Sequence, residues 1–123
     1  MRILIADDER DILKILEQYF VGRGDTVTVA TDGEQAWTIF QASPERFDSL
    51  LIDHRMPKMS GTDLVARLAD NGFDVPVVMM SGDLHFSQND LSLDGVFETI
   101  AKPMRLARLN EVFTKVETLL EPQ

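Results

Sequence analysis

The sequence predicts an α/β domain built on a parallel sheet with helices on both faces. Three observations carry that expectation. Five short apolar or β-branched runs recur along the chain, each bounded by turn residues. Stretches with apolar residues at helical spacing separate them. The length, 123 residues, suits one domain whose core needs neither metal nor disulfide staples.

The first run, Arg2 to Ala6, reads as a buried strand and ends at Asp7-Asp8-Glu9. Ile12, Leu13, Leu16, Tyr19 and Phe20 then form a helical stripe that Gly22-Arg-Gly24 stops. Thr26 to Ala30, rich in β-branched residues, is the second strand. Asp32 caps a second helix, with Gln35 in the capping-box position, and Pro44 ends it. Ser49 to Asp53 is the third strand, an apolar run that closes on one carboxylate. Ser60 caps a third helix with Asp63 three residues on; Leu64, Val65 and Leu68 form its buried side, and Asn71-Gly72 closes it. Pro76 to Met80 is the fourth strand, followed by Ser81-Gly82. In the polar stretch beyond, Phe86, Ser87, Asp90 and Leu91 fit a staple and capping box. They predict a short fourth helix that Gly95 limits to roughly two turns. Val96 to Ile100 is the fifth strand and leads into Ala-Lys102-Pro103. Leu106, Leu109, Val112, Phe113, Val116 and Leu120 form the amphipathic stripe of the last helix.

The alternation is βα repeated five times, in a single domain over residues 1–123. A doubly wound, flavodoxin-like sheet with strand order 2-1-3-4-5 sets strands one and three on either side of the topological switch point. The formal charge is −9, from 12 basic and 21 acidic residues. No basic run offers the counterion-displacing patch that nucleic acid requires, so direct nucleic-acid binding is not expected. The chain has no cysteine, which excludes disulfides and thiolate chemistry and fits a reducing compartment. No apolar run reaches membrane-spanning or signal-peptide length, and the expectation is a cytoplasmic protein.

Four of the five strands end in a residue with chemical potential: Asp7 and Asp8 after the first, Asp53 on the third, Ser81 after the fourth and Lys102 after the fifth. In a parallel sheet these ends share one edge. Two unit charges about 4 Å apart repel by roughly 4 kcal/mol at an effective dielectric near 20. Three acids in one pocket therefore raise their pKa values or recruit a cation. Oxygen ligands beside a site open to water suit Mg²⁺, with Mn²⁺ as the alternative. Lys102 adds a second positive charge, and the Ser81 hydroxyl a donor. The set reads as a phosphoryl-binding site with a carboxylate, a known covalent phosphoryl acceptor, at its centre. Each piece alone has a blander reading: a helix-capping turn for the Asp pair, a loop cap for Asp53, a turn for Ser81-Gly82, and a solvated lysine before a helix-starting proline. Their conjunction carries the signal. His54 follows the acceptor and has only His85 for company, so neither is assigned chemistry.

With these residues in hand, the chain resembles a receiver domain of a two-component response regulator, CheY-like, over essentially its whole length. The motifs are Ile-Leu-Ile-Ala-Asp7-Asp8-Glu9, Asp53-x-x-Met56-Pro57-x-Met59-Ser60-Gly61, Ser81-Gly82 and Lys102-Pro103. The resemblance implies that Asp53 takes a phosphoryl group from a histidine kinase or phosphotransfer protein. It implies that Asp8 and Asp53 bind Mg²⁺ with the backbone carbonyl of Arg55, while Asp7 acts largely through water. Ser81 and Lys102 would contact the phosphoryl group, and the Lys102–Pro103 bond would be cis. The surface of the fourth helix, fifth strand and last helix would switch and select an effector. No turnover of an external substrate is implied beyond intrinsic autodephosphorylation, and a monomer or weak dimer is expected.

Three departures qualify the resemblance. The family's aromatic residue three positions before the lysine is Thr99 here; Phe97, counted as lying on the same side of the strand, is the expected substitute. The Phe86–Gly95 stretch is unusually polar, which predicts a short or mobile fourth helix. Arg55 and Asp83 occupy the positions that tune dephosphorylation, and the expectation is that they pair across the site mouth; the alternative is two solvated loop charges. Other functions fit less well. An aspartyl-phosphate phosphotransferase or phosphatase needs a second carboxylate two residues after the nucleophile, where Arg55 stands. A flavin carrier needs a hydroxyl-rich phosphate loop where Asp7-Asp8 would repel the anion. A phosphate-independent interaction module would not need the acceptor set that this chain carries.

Overall fold

The computed structural model describes residues 1–82 and 95–122. Its elements run β1 (Arg2–Ala6), α1 (Arg10–Gly22), β2 (Thr26–Ala30), α2 (Gly33–Ala42), a 3₁₀ turn (Pro44–Arg46), β3 (Ser49–Asp53), α3 (Gly61–Asp70), β4 (Val77–Ser81), β5 (Val96–Ala101) and α4 (Leu106–Leu120). The short fourth helix expected before Gly95 lies outside the described residues, as does Asp83. All strand pairs are parallel, in the order β2-β1-β3-β4-β5, so β1 and β3 flank the switch point as expected.

Strand alternation divides the core in two. Leu4, Ala6, Leu50, Ile52, Val77 and Met79 face α2 and α3, where they meet Phe40, Leu64 and Leu68. Ile3, Ile5, Leu51, Val78, Met80 and Ile100 face α1 and α4, where they meet Leu16, Phe20 and Phe113. Phe20 and Phe113 close that second layer edge to face, with ring centroids 4.9 Å apart. Every residue of β3 is buried. Each apolar side chain removed from water contributes about 1.5–3 kcal/mol, so β3 is held by both layers at once.

Local signals set the helix ends. Asp32 accepts from the Gln35 N–H at 2.7 Å, and Ser60 from the Asp63 N–H at 3.1 Å. The reciprocal arm at α2 is displaced: Gln35 Oε1 takes the Thr31 N–H at 2.6 Å, one residue before the cap. β4 begins at Val77, one residue later than expected, because Pro76 has no N–H to give; its carbonyl still accepts from Leu50 N at 3.0 Å. β5 runs one residue further than expected, to Ala101, which pairs with Ser81. In α4, Leu109, Val112, Phe113 and Val116 are buried, whereas Leu106 and Leu120 lie outside the buried stripe. Among the described residues, no helix is long and apolar enough to cross a membrane.

Candidate functional site

The parallel sheet brings the chemistry-bearing strand ends to one edge. Asp7 follows β1, Asp53 ends β3, Ser81 ends β4, and Lys102 follows β5. Asp7, Asp53 and Ser81 are buried polar residues in an otherwise apolar interior. Asp8 is exposed, and one carboxylate oxygen from each of Asp7, Asp8 and Asp53 lies within 4.8 Å of the others. Lys102 reaches between two of them: its Nζ is 3.2 Å from Asp7 Oδ2 and 3.2 Å from Asp53 Oδ1. The Glu9 backbone N–H donates to Asp7 Oδ1 at 2.9 Å and fixes that carboxylate's orientation. The Lys102 N–H donates to the Ser81 carbonyl at 2.8 Å, which ties the β4 and β5 ends together. The Lys102–Pro103 peptide is cis.

The electrostatics follow from burial and crowding. Burial raises the Asp53 carboxyl to about 6 from 3.8; the Asp7 charge pushes the same way, Lys102 opposes it, and Asp8 adds to the rise. Burial alone would lower the Lys102 ammonium, but the Asp53 and Asp7 carboxylates outweigh it, so its pKa is raised. One lysine thus offsets only part of the negative charge of three carboxylates. That donor set, all oxygen with one exposed member, fits a hard divalent cation such as Mg²⁺. A cleft of about 300 Å³ opens over the group, lined by Asp8, Glu9, Asp53, His54, Arg55, Gly82 and Lys102. A larger cavity of about 440 Å³ lies beside it between α1 and the start of α4. Its lining is apolar apart from Glu9 and Lys102, so the smaller cleft holds the chemistry.

The structure brings Asp7, Asp8, Asp53 and Lys102 together as the sequence suggested, with Arg55 on the cleft wall and Ser81 at the end of the neighbouring strand β4. The proposed Arg55–Asp83 pair falls partly outside the described residues. Glu9 was not singled out, yet its carboxylate is 3.9 Å from Lys102 Nζ and lines the cleft. The available signal was its place directly after the Asp pair.

Phe97 and Thr99 require a correction. A register shift between Val77 and Val78 inserts an extra residue on β5. Thr99 pairs with Met79, on the α2–α3 side, while Phe97 packs into the α1–α4 layer. The two side chains therefore face opposite sides of the sheet, and Phe97 does not occupy the place of a ring at Thr99. The Thr99 carbonyl instead accepts from Arg108 Nη2 at 3.2 Å, and the same guanidinium pairs with Glu98 at 3.2 Å.

Comparison with known proteins agrees with the geometry. A family model described as response regulator receiver domain matches residues 3–114. Response regulator GtcR of Aneurinibacillus migulanus is 32% identical over 98% of the chain, which spans about half (51%) of that relative's length. In other curated relatives the chain spans less, 15% and 31%. CheY of Borrelia burgdorferi, solved as a CheX-CheY-BeF3-Mg complex, superposes with a TM-score of 0.87 at 28% identity, over 95% of this chain and 89% of that one. TrrA of Thermotoga maritima, solved with Mg²⁺ and BeF, gives a TM-score of 0.83 at 26% identity, over 94% and 97%.

Proposed function

Because the chain belongs to the response regulator receiver domain family of two-component signalling, we propose that it is a phosphorylatable switch with Asp53 as the acceptor. The observation that carries this reading is the Lys102 ammonium held 3.2 Å from Asp53 inside a group of three carboxylates. Asp7, Asp8 and Asp53, with the Arg55 backbone carbonyl, are the residues that would hold Mg²⁺. When bound, the ion supplies charge neutralisation on phosphoryl oxygens; Mn²⁺ meets the same oxygen set.

The remaining work belongs to the chain. An oxygen of the ionised Asp53 attacks the phosphorus of a phosphohistidine. The O–P bond forms and the P–N bond breaks; the imidazole leaves with the bonding pair and takes a proton. Lys102, already between Asp7 and Asp53, follows the charge onto the phosphoryl oxygens. Ser81, at the neighbouring strand end, supplies a hydroxyl donor. The buried floor of β3 holds the acceptor carboxylate in place, so positioning and charge carry the transfer. The donor is a histidine kinase or phosphotransfer protein and the readout an effector; no external substrate is turned over. The absence of cysteine fits work in the cytoplasm.

Incubation with acetyl phosphate and Mg²⁺, followed by intact mass and peptide mapping, tests this. The expected result is one phosphoryl group on Asp53 and none on Asp53→Asn. No mass gain, or a gain that survives the substitution, overturns it.

A further inference from the structure

Asp53 is followed by a loop, residues 54–60, that carries Arg55 and leads into α3. The loop is tied to β4 at its start and closes back on that start at its end. The His54 N–H donates to the Met80 carbonyl at 2.8 Å, and the Gly61 N–H to the His54 carbonyl at 2.9 Å. Its middle turns sharply between these two bonds. There Lys58 adopts φ 69°, and the Met59 N–H closes a tight turn on the Pro57 carbonyl at 2.7 Å. This turn presses the Met59 backbone onto the first residue of α2. A Cβ at Gly33 would overlap the Met59 carbonyl oxygen and lie 2.8 Å from its carbonyl carbon and 2.9 Å from Met59 Cβ. The obstacle is mostly backbone, so no side-chain rotation relieves it. The Met59 side chain is buried in the layer that Ala36 and Phe40 of α2 also build. Lys58 Nζ, 3.9 Å from Asp32 Oδ2, adds a weak tie to the same helix turn.

We propose that Gly33 is a positioning residue for the acceptor site: by bearing no side chain it lets the first turn of α2 seat the Met59 backbone, which fixes the course of the loop from Asp53 to α3. The inference rests on the reading of Asp53 as acceptor. The three heavy atoms nearest a Cβ at Gly33 all belong to Met59, so Gly33 acts on the site through the loop. Any side chain there pushes the loop off α2, and displacement at its Arg55 end degrades cation binding and phosphoryl acceptance together. Gly22 provides the control, since a Cβ there meets nothing within 4 Å.

The test compares wild type, Gly33→Ala and Gly22→Ala by ¹H–¹⁵N spectra during Mg²⁺ titration, and by the initial rate of acetyl phosphate labelling. Gly33→Ala is expected to shift the metal-free resonances of residues 54–61 and to weaken Mg²⁺ half-saturation and labelling about tenfold, the scale of a sub-ångström misplacement. Gly22→Ala should match wild type in all three readouts. A folded Gly33→Ala with wild-type half-saturation and labelling overturns the proposal. If Gly33→Ala gives no dispersed spectrum, wild type decides: the Gly33 amide must shift with Mg²⁺ at the same half-saturation as the loop amides, and an unmoved Gly33 resonance overturns it. Wild-type labelling at Asp53 stands or fails separately, so loss of this inference is distinguishable from loss of the acceptor reading.

Discussion

Asp53 is ionised at neutral pH against the preference of its surroundings, and this has a sign that can be measured. Its carboxyl is pushed up to about 6 in the fold, from 3.8, by burial and by Asp7. Below pH 3.8 both folded and unfolded forms are protonated, and the group contributes nothing. As pH rises through the interval between 3.8 and 6, the unfolded chain releases the proton first and stability falls. At about 1.4 kcal/mol per pKa unit the full loss is roughly 3 kcal/mol, an upper bound because the cleft opens to water. Metal-free Asp53→Asn should therefore be more stable than wild type at pH 7.5 by about 2 kcal/mol, with the gap narrowing toward pH 5. Urea midpoints across that range check this; a gap that stays constant with pH would contradict it. Lys102 carries the opposite sign. Its raised pKa means that its stabilisation is complete below 10.5 and is lost only as pH rises through the still higher folded value. Lys102→Met leaves Asp7 and Asp53 without their shared cation. It should destabilise the metal-free protein by on the order of 2 kcal/mol, less than for a fully buried pair. The loss should be smaller at pH 5, where Asp53 holds a proton, and equal losses at pH 5 and 7.5 would show that the ion pairs are not its source.

At the scale of elements, glycines separate two kinds of constraint. Gly72 ends α3 with φ 76°, and a Cβ there meets nothing within 4 Å. Gly72→Ala therefore bears only the left-handed backbone penalty, about 1–2 kcal/mol. At Gly61, on the first turn of α3, a Cβ would overlap the Asp53 carbonyl oxygen and crowd the His54 Cα at 3.1 Å. Gly61→Ala should be destabilising by about 3 kcal/mol or more, because backbone must move on both sides. Thermal or urea unfolding ranks the two, and a milder effect at Gly61 would contradict the contact. The same scale shows what the sequence could and could not reveal. Capping at Asp32 and Ser60 is local chemistry, written within four residues, and it was legible. The extra residue on β5 was not. A period-two count from Thr99 puts Phe97 on the same face, and only the pairing of Val77 with Val96 and Val78 with Glu98 reveals the inserted residue that turns Phe97 the other way. Leu106 and Leu120 likewise continue the helical period of α4 but remain 54% and 38% exposed. Periodicity reports direction, not whether a partner is present.

At the scale of the whole molecule, the site is an outcome of topology. Asp7 and Lys102, 95 residues apart, meet because parallel strands present their carboxyl ends to one edge. The strand ends were legible in the sequence because an apolar run stops at a polar residue; their distances were not, because side-chain reach depends on both packed layers. The resulting crowding sits in a chain of net charge −9, so any cation relieves some repulsion. Specific Mg²⁺ binding has a different signature. A ligand that binds only the folded state stabilises by mass action, about 2.7 kcal/mol at a hundred times its Kd. That gain should rise as pH increases through about 6, because Asp53 must lose its proton to serve as a ligand. It should be larger than the gain from NaCl at matched ionic strength, which acts by screening. It should also shrink in Asp8→Asn, since Asp8 is the exposed member of the group and its loss leaves Asp7, Asp53 and Lys102 in place. Urea midpoints with Mg²⁺ or matched NaCl, at pH 5.5 and 7.5, separate these contributions. Equal gains from the two salts, or an undiminished Mg²⁺ gain in Asp8→Asn, would show that the carboxylates respond to bulk charge and do not form a divalent-ion site.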